Sequence, residues 1–324
     1  MTSTLPQEAR DAFAGFLTTE YTTIDSRQQP IVWPVTPYYS DGAETIDVTT
    51  GIGYPKKAND ARRNPQVSLL FSEPHGSTTP TTACVLVQGT ADVDDRDLDA
   101  NRDRYWRESG QKLPATKDMH PPAFMRKLMA WYYARVYVKV RPERVFVWPD
   151  GDCSKEPDLY GADLEEVRSG HIEKPLAPHE PAEGGAVRWD ERIEQLGERY
   201  PKAVLSWVGP DGFPLSARLP VSLDSAARKV RLGAEPAGLP LTEGRVSLVA
   251  HSHGPNFEWQ ENFQLRGDLA RDGDGWALTP HRLVGGLELP DESRLALMRR
   301  NFSKAMRYGN VAREELRKRK ERAG

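Results

Sequence analysis

Short apolar runs, alternating or continuous, recur along the chain. Most are bounded by glycine, proline or Asp-Gly pairs, which predicts a mainly β fold. Pro6 to Phe16 carries Ala9, Phe13 and Phe16 at helical spacing and predicts a short amphipathic helix. Tyr21 to Asp25 and Ile31 to Thr36 read as strands. Pro34 has no N–H for a ladder, so the second strand belongs at an edge or a bulge. Asp41-Gly42 predicts a hairpin turn into a strand at Ile46 to Thr50. A glycine turn (Gly51, Gly53), a helix opening at Pro55-Lys56-Lys57 and closing at Asn64-Pro65, and a strand at Val67 to Phe71 follow. A long strand climbs from Ala83 to Gly89. Helices are expected at Asp97 to Glu108 and Pro122 to Tyr133, and strands at Ala134 to Val140 and Arg144 to Trp148. About six short strands with inserted helices make a small barrel.

From Pro149 to Gly185 the composition turns to Asp, Glu, Pro and Gly, which reads as a linker with at most a turn or two of helix at Asp163 to Ser169. Then the pattern restarts. Strands are predicted at Ala203 to Val208, Pro214 to Val221, Lys229 to Leu232 and Arg245 to Ala250. The last echoes Gln66 to Phe71, and Phe263-Gln264-Leu265-Arg266-Gly267 echoes Val85-Leu86-Val87-Gln88-Gly89 at nearly the same distance. A strand, loop and strand repeated at matched spacing argue for a duplicated domain. The expected division is a first barrel domain over 1–150, a linker over 151–185, a degenerate second barrel over 186–290, and a C-terminal helix with a basic tail over 291–324. The tail, dense in Lys and Arg from Arg313 to Arg322, reads as a loose solvated end rather than a docking element.

The two copies differ at one place. Pro55 suits a first helical position, and the free N–H groups of that turn beside Lys56 and Lys57 form a ready phosphate site. Thr49 and Thr50, closing the preceding strand, add hydroxyl donors. The competing reading is a solvated lysine pair on a surface helix. The second copy has Ala234 to Pro240 there, with no lysine, an acidic Glu235 and two prolines. If the first copy holds an anion, the second does not.

Charge is high but balanced, 44 Lys+Arg against 47 Asp+Glu, which argues against a dedicated nucleic-acid binder. Two cysteines, Cys84 and Cys153, offer neither metal spacing nor a disulfide framework, so a reducing cytoplasm is the simplest setting. Neither a signal-peptide core nor a membrane-span run is present in the sequence.

Lys56-Lys57-Ala58, then Asn64 to Phe71, then the strand ending at Gly89, resemble the flavin-binding split-barrel superfamily. That group includes the pyridoxamine 5′-phosphate oxidases and related flavin- or deazaflavin-dependent reductases. The resemblance covers roughly 20–148 and, more weakly, 200–285. It implies that Lys57, Lys56, Thr49 and Thr50 bind the phosphate of FMN (or of a deazaflavin). It also implies that Pro34, Val35 and Thr36, following Trp33, run along the ring. A second barrel should complete the site, either the rear copy or another chain in a homodimer. Ile31 to Thr36 lacks the Arg and Lys of true pyridoxamine phosphate oxidases, and the family's C-terminal Trp and Arg have no equivalent here, so a vitamin B6 oxidase is not expected.

No side chain stands out as catalytic, and none as a metal ligand. Hydride transfer needs orientation and water exclusion more than an acid or base. His251 and His253 share one side of a strand, a spacing that metals and haem use, but nothing acidic or thiolate accompanies them, so a solvated or hydrogen-bonded pair is the simpler reading. Asp92 to Asp99 lacks the glycine and glutamate of a calcium loop and reads as a helix start. Three functions fit: an oxidoreductase acting on a small organic substrate with a nicotinamide reductant, a non-catalytic binder of flavin, haem or tetrapyrrole, or a barrel with a dead site.

Overall fold

A computed structural model describes residues 5–113, 129–161, 164–169, 189–286 and 294–323. The fold is mainly β with inserted helices, built as two split-barrel units in tandem. After helix α1 (Gln7–Gly15), the first unit lays down β1 (Thr19–Ile24), β2 (Pro30–Val35), β3 (Pro37–Tyr38) and β4 (Ile46–Gly51). Helix α2 (Lys56–Arg63), β5 (Gln66–Phe71), β6 (Cys84–Asp94), α3 (Leu98–Lys112), α4 (Ala130–Tyr133) and β7 (Arg135–Trp148) follow. The second unit contains β9 (Lys202–Val208), β10 (Pro214–Asp224), β11 (Lys229–Leu232), β12 (Gly244–His253), β13 (Gln260–Asp272) and β14 (Gly275–Gly285).

Strand order demonstrates the duplication. The first sheet runs β2-β1-β5-β6-β7-β4-β3, and the closed barrel of the second runs β10-β9-β12-β13-β14-β11. Register repeats as well. Gln88 opposes Arg144, the ladder slips, and Gly89 opposes Pro142; likewise Arg266 opposes Arg282, the ladder slips, and Gly267 opposes Pro280. A Cβ on either glycine would meet backbone oxygen, Arg141 at 2.1 Å or Thr279 at 2.3 Å, so each bulge needs glycine. The units also share an apolar core: Val32, Leu86 and Trp148 of the first pack with Leu205, Leu219 and Leu265 of the second.

Several expectations change. Ala134 to Val140 and Arg144 to Trp148 are one strand, β7, because the bulge at Pro142 bends the ladder without ending it. Strand β14 escaped the sequence reading, since Asp274-Gly275 and Pro280 mask its alternation. The stretch read as a linker supplies β8 (Asp158–Tyr160), paired with β7, and a helix α5 (Leu164–Ser169), and its Cys153 and Val167 are buried. Short helix α6 (Glu191–Glu194) follows. The two free cysteines meet, Cys84 Sγ and Cys153 Sγ lying 3.1 Å apart. Of the helix expected at Pro122 to Tyr133, the part over 122–128 lies outside the described residues. The basic tail is neither loose nor irregular: one helix, α7 (Arg294–Ala323), carries it, and Arg319 pairs with Asp95 at 2.5 Å. No helix among the described residues is long and apolar enough to cross a membrane.

Candidate functional site

Helix α2 opens with Pro55 as its N-cap and stops at Asn64, where the following proline disfavours further helix. Its two lysines diverge. Lys56, exposed, sets Nζ 2.9 Å from Asp60 and 3.5 Å from Asp25, so its charge is already answered. Lys57 is half-buried and has no carboxylate or hydrogen-bond partner among the described residues. Burial, reinforced by the charge of Arg135, pulls its ammonium down to about 8.

Arg135 is the residue that sequence reading missed. It starts β7 opposite Gly51 and is buried. Its Nε donates to Thr49 Oγ1 at 3.3 Å, and its Nη1 donates to the Tyr132 carbonyl at 3.1 Å. The guanidinium lies over the Tyr105 ring at 4.1 Å and near Tyr132 at 5.1 Å, two rings whose hydroxyls are 2.8 Å apart. The Tyr38 hydroxyl, near the same guanidinium, is buried with no hydrogen-bond partner among the described residues. An arginine in an alternating strand normally faces solvent, and only the tyrosines at 38, 54, 105 and 132, far apart in sequence, enclose this one.

The predicted threonines are beside this pair, with their protons committed. Thr49 Oγ1 donates to the Val136 carbonyl at 2.9 Å, and Thr50 Oγ1 to the Tyr54 carbonyl at 3.1 Å. Tyr54 is boxed in by Trp131 and by Tyr308 of α7, with ring centroids 5.6 and 4.6 Å away. Pro34, Val35 and Thr36 are half-exposed at the outer edge of β2, as the missing proline N–H requires. Two cations in an aromatic setting, with no carboxylate partner and an orphan hydroxyl among the described residues, fit a phosphate.

Among its described residues the second unit has no counterpart of the Lys57–Arg135 pair. After β11 the chain makes a loop whose Leu239 is buried in the core, and its Pro240 carbonyl accepts from Trp207 Nε1 at 2.8 Å. Glu235 lies 3.3 Å from Arg271. The histidine pair is a seam element: His251 Nε2 is 2.5 Å from Glu20 Oε1, and His253 Nδ1 is 3.0 Å from the Gly254 carbonyl. No group of three metal-ligating side chains occurs among the described residues.

No family description and no curated protein matches the sequence. Among solved structures, the chain is similar to general stress protein 26 from Bacillus anthracis str. Sterne, with 15% identity over 48% of this chain and 95% of that one, TM-score 0.31. It is also similar to an FAD-binding protein from Mesorhizobium loti, with 20% identity over 44% and 91%, TM-score 0.30. A third is a pyridoxamine 5′-phosphate oxidase-related, FMN-binding protein from Nostoc punctiforme, with 12% identity over 47% and 85%, TM-score 0.32.

Proposed function

We propose that the chain is a flavin-dependent oxidoreductase with one FMN in its first unit, acting on a small organic substrate by hydride transfer. The observation that carries this reading is the Lys57–Arg135 pair, two cations with no carboxylate partner among the described residues. In this reading, residues 1–150 form the cofactor-bearing domain and residues 186–290 its degenerate twin. Bound there, the flavin supplies the hydride chemistry.

The chain's own residues do the rest. Lys57 and Arg135 grip the phosphate, Arg135 held in place by Thr49 and the two tyrosine rings. The edge of β2 at Pro34, Val35 and Thr36 lies along the ring, and the aromatic wall of Tyr54, Trp131 and Tyr308 excludes water. The test is a visible spectrum of the purified protein reconstituted with FMN, followed by turnover with a nicotinamide reductant. A protein-bound flavin band with turnover supports the reading. A band without turnover identifies a carrier, and no retained flavin overturns both.

A further inference from the structure

The duplication makes each unit a control for the other. Turns Asp25 to Gln29 and Gly209 to Phe213 are equivalent five-residue loops: Gln28 and Gly212 both have positive φ (59° and 85°). The Gln28 N–H donates to the Asp25 carbonyl, and the Gly212 N–H to the Gly209 carbonyl, both at 3.0 Å. Arg27 therefore stands where the second unit has Asp211, and by ladder register Arg282 stands where the first unit has Arg144.

On one side of the seam the charges cancel. Arg144 Nη1 is 2.5 Å from Asp211 and its guanidinium lies 4.4 Å from the Phe213 ring centre, while the neighbouring Gln88 is uncharged and donates to the Pro214 carbonyl at 2.9 Å. On the other side an exposed Arg282 pairs in register with Arg266, and the equivalent turn carries Arg27 in place of an aspartate. Gln88 is replaced by a buried Arg266, whose Nε donates to Gln264 Oε1 at 2.7 Å. Gln264 in turn donates to the Val32 carbonyl of β2, and Arg245 Nη1 donates to the Arg27 carbonyl at 2.8 Å. Neither Arg266 nor Arg282 has an ion-pair partner among the described residues. Asp25 and Asp60 are the nearest compensating charges, and Lys56 already binds both.

We infer that Arg266 and Arg282, under the Asp25–Gln29 turn and beside β2, form a second oxyanion site, distinct from Lys57–Arg135, that takes the carboxylate or phosphate group of an acidic substrate. Assigning the occupant as substrate rests on the proposed function; the anion site itself does not. Guanidinium forks are suited to such groups, and a braced arginine needs little ordering to bind one.

One arm of the test restores the neutral arrangement and leaves both strand arginines in place. In Arg27→Asp, an exposed substitution, the turn gains the carboxylate that answers Arg144 on the other side. Inorganic phosphate and benzoate are titrated calorimetrically into the wild-type chain, Arg27→Asp, Arg282→Gln and Lys57→Gln, with FMN binding followed separately by flavin fluorescence. The expected result is that Arg27→Asp and Arg282→Gln each weaken both small anions by about tenfold or more while FMN affinity stays unchanged. Lys57→Gln should do the reverse for FMN. Equal anion affinity in wild type, Arg27→Asp and Arg282→Gln, or no anion binding in wild type, overturns the inference. Loss of the FMN result alone overturns the flavin reading and leaves the anion site standing. Stronger binding of benzoate than phosphate assigns a carboxylate substrate, and the opposite order a phosphorylated one.

Discussion

Thr22 and Ser206 hold the same position in their respective units, and their hydroxyl oxygens lie 3.3 Å apart, so the pseudo-twofold relation of the two halves passes between them. Ser216 joins them at 3.1 Å from Thr22 and 2.8 Å from Ser206, giving a small hydroxyl cluster in the seam. The halves thus pack as two copies of one chain would, within a single polypeptide.

The strongest polar tie across that seam is Glu20, fully buried, with Arg218 at 3.1 Å, His251 at 2.5 Å and the Ser72 hydroxyl at 2.9 Å. Burial pushes its carboxyl up, but His251, Arg218 and Ser72 together outweigh burial and hold it below the usual value. A depressed carboxylate contributes stability that is present above the unfolded pKa and is lost as pH falls through the folded one. Glu20→Ala should lower stability by about 1–3 kcal/mol, because it removes the buried carboxylate that Arg218 and His251 share, leaving Arg218 only its longer pair with Glu73 at 3.4 Å. Urea unfolding at pH 7 and below pH 4.5 checks this; the deficit of the variant should shrink on the acid side.

Lys57 gives the same sign of pH dependence in a higher pH window. Its folded value of about 8 lies below the unfolded one, so the unfolded chain binds more protons between them and stability rises with pH across that interval. A bound phosphate favours the charged ammonium, so FMN affinity should fall as pH climbs above about 8. In Lys57→Ala that decline should disappear and the affinity at pH 7 should be lower by about tenfold or more. Glu235→Gln, in the equivalent loop of the second unit, should change neither.

Gly89 and Gly267 test the duplicated bulge. Backbone oxygen lies 2.1 and 2.3 Å from where a Cβ would sit, and neither neighbour can move aside as a flexible side chain would. Gly89→Ala and Gly267→Ala should each cost about 1–3 kcal/mol in denaturant unfolding, and by similar amounts. A neutral result at either position contradicts the shared geometry.

The C-terminal helix guards the approach to Tyr54. Tyr308 stacks on Trp131 at 5.5 Å and 29°, and Trp131 supplies the carbonyl that accepts the Gly53 N–H at 2.9 Å. Tyr308→Ala should remove about 0.5–1.5 kcal/mol of ring–ring attraction and speed hydrogen exchange at the Gly53 amide. Exchange in β12, remote from α7, should be unaffected.

Much of this was legible in the sequence because it is written in local patterns. The echo of Gln66 to Phe71 in Arg245 to Ala250, and of Val85 to Gly89 in Phe263 to Gly267, corresponds to the matching strand pairs β5–β6 and β12–β13. The break of α2 at Asn64-Pro65 and the edge position of Pro34 also follow from backbone chemistry. What stayed hidden depends on contacts between distant residues. Lys56 and Lys57 are adjacent and alike in sequence, and only the Asp25 and Asp60 carboxylates separate their roles. Arg135 gave no signal because its enclosure comes from four tyrosines on other elements. The tail read as loose because its charge run hides Tyr308 and the Arg319–Asp95 pair, both of which dock it.

The most direct measurement of the central claim is the stoichiometry of FMN on the full-length chain, by calorimetric titration with the spectrum recorded alongside. A single equivalent per chain, abolished or strongly weakened by Lys57→Ala, is the predicted result. Two equivalents, or one that survives Lys57→Ala unchanged, would contradict a flavin grip confined to the first unit, and no binding at all would remove the flavin from the account.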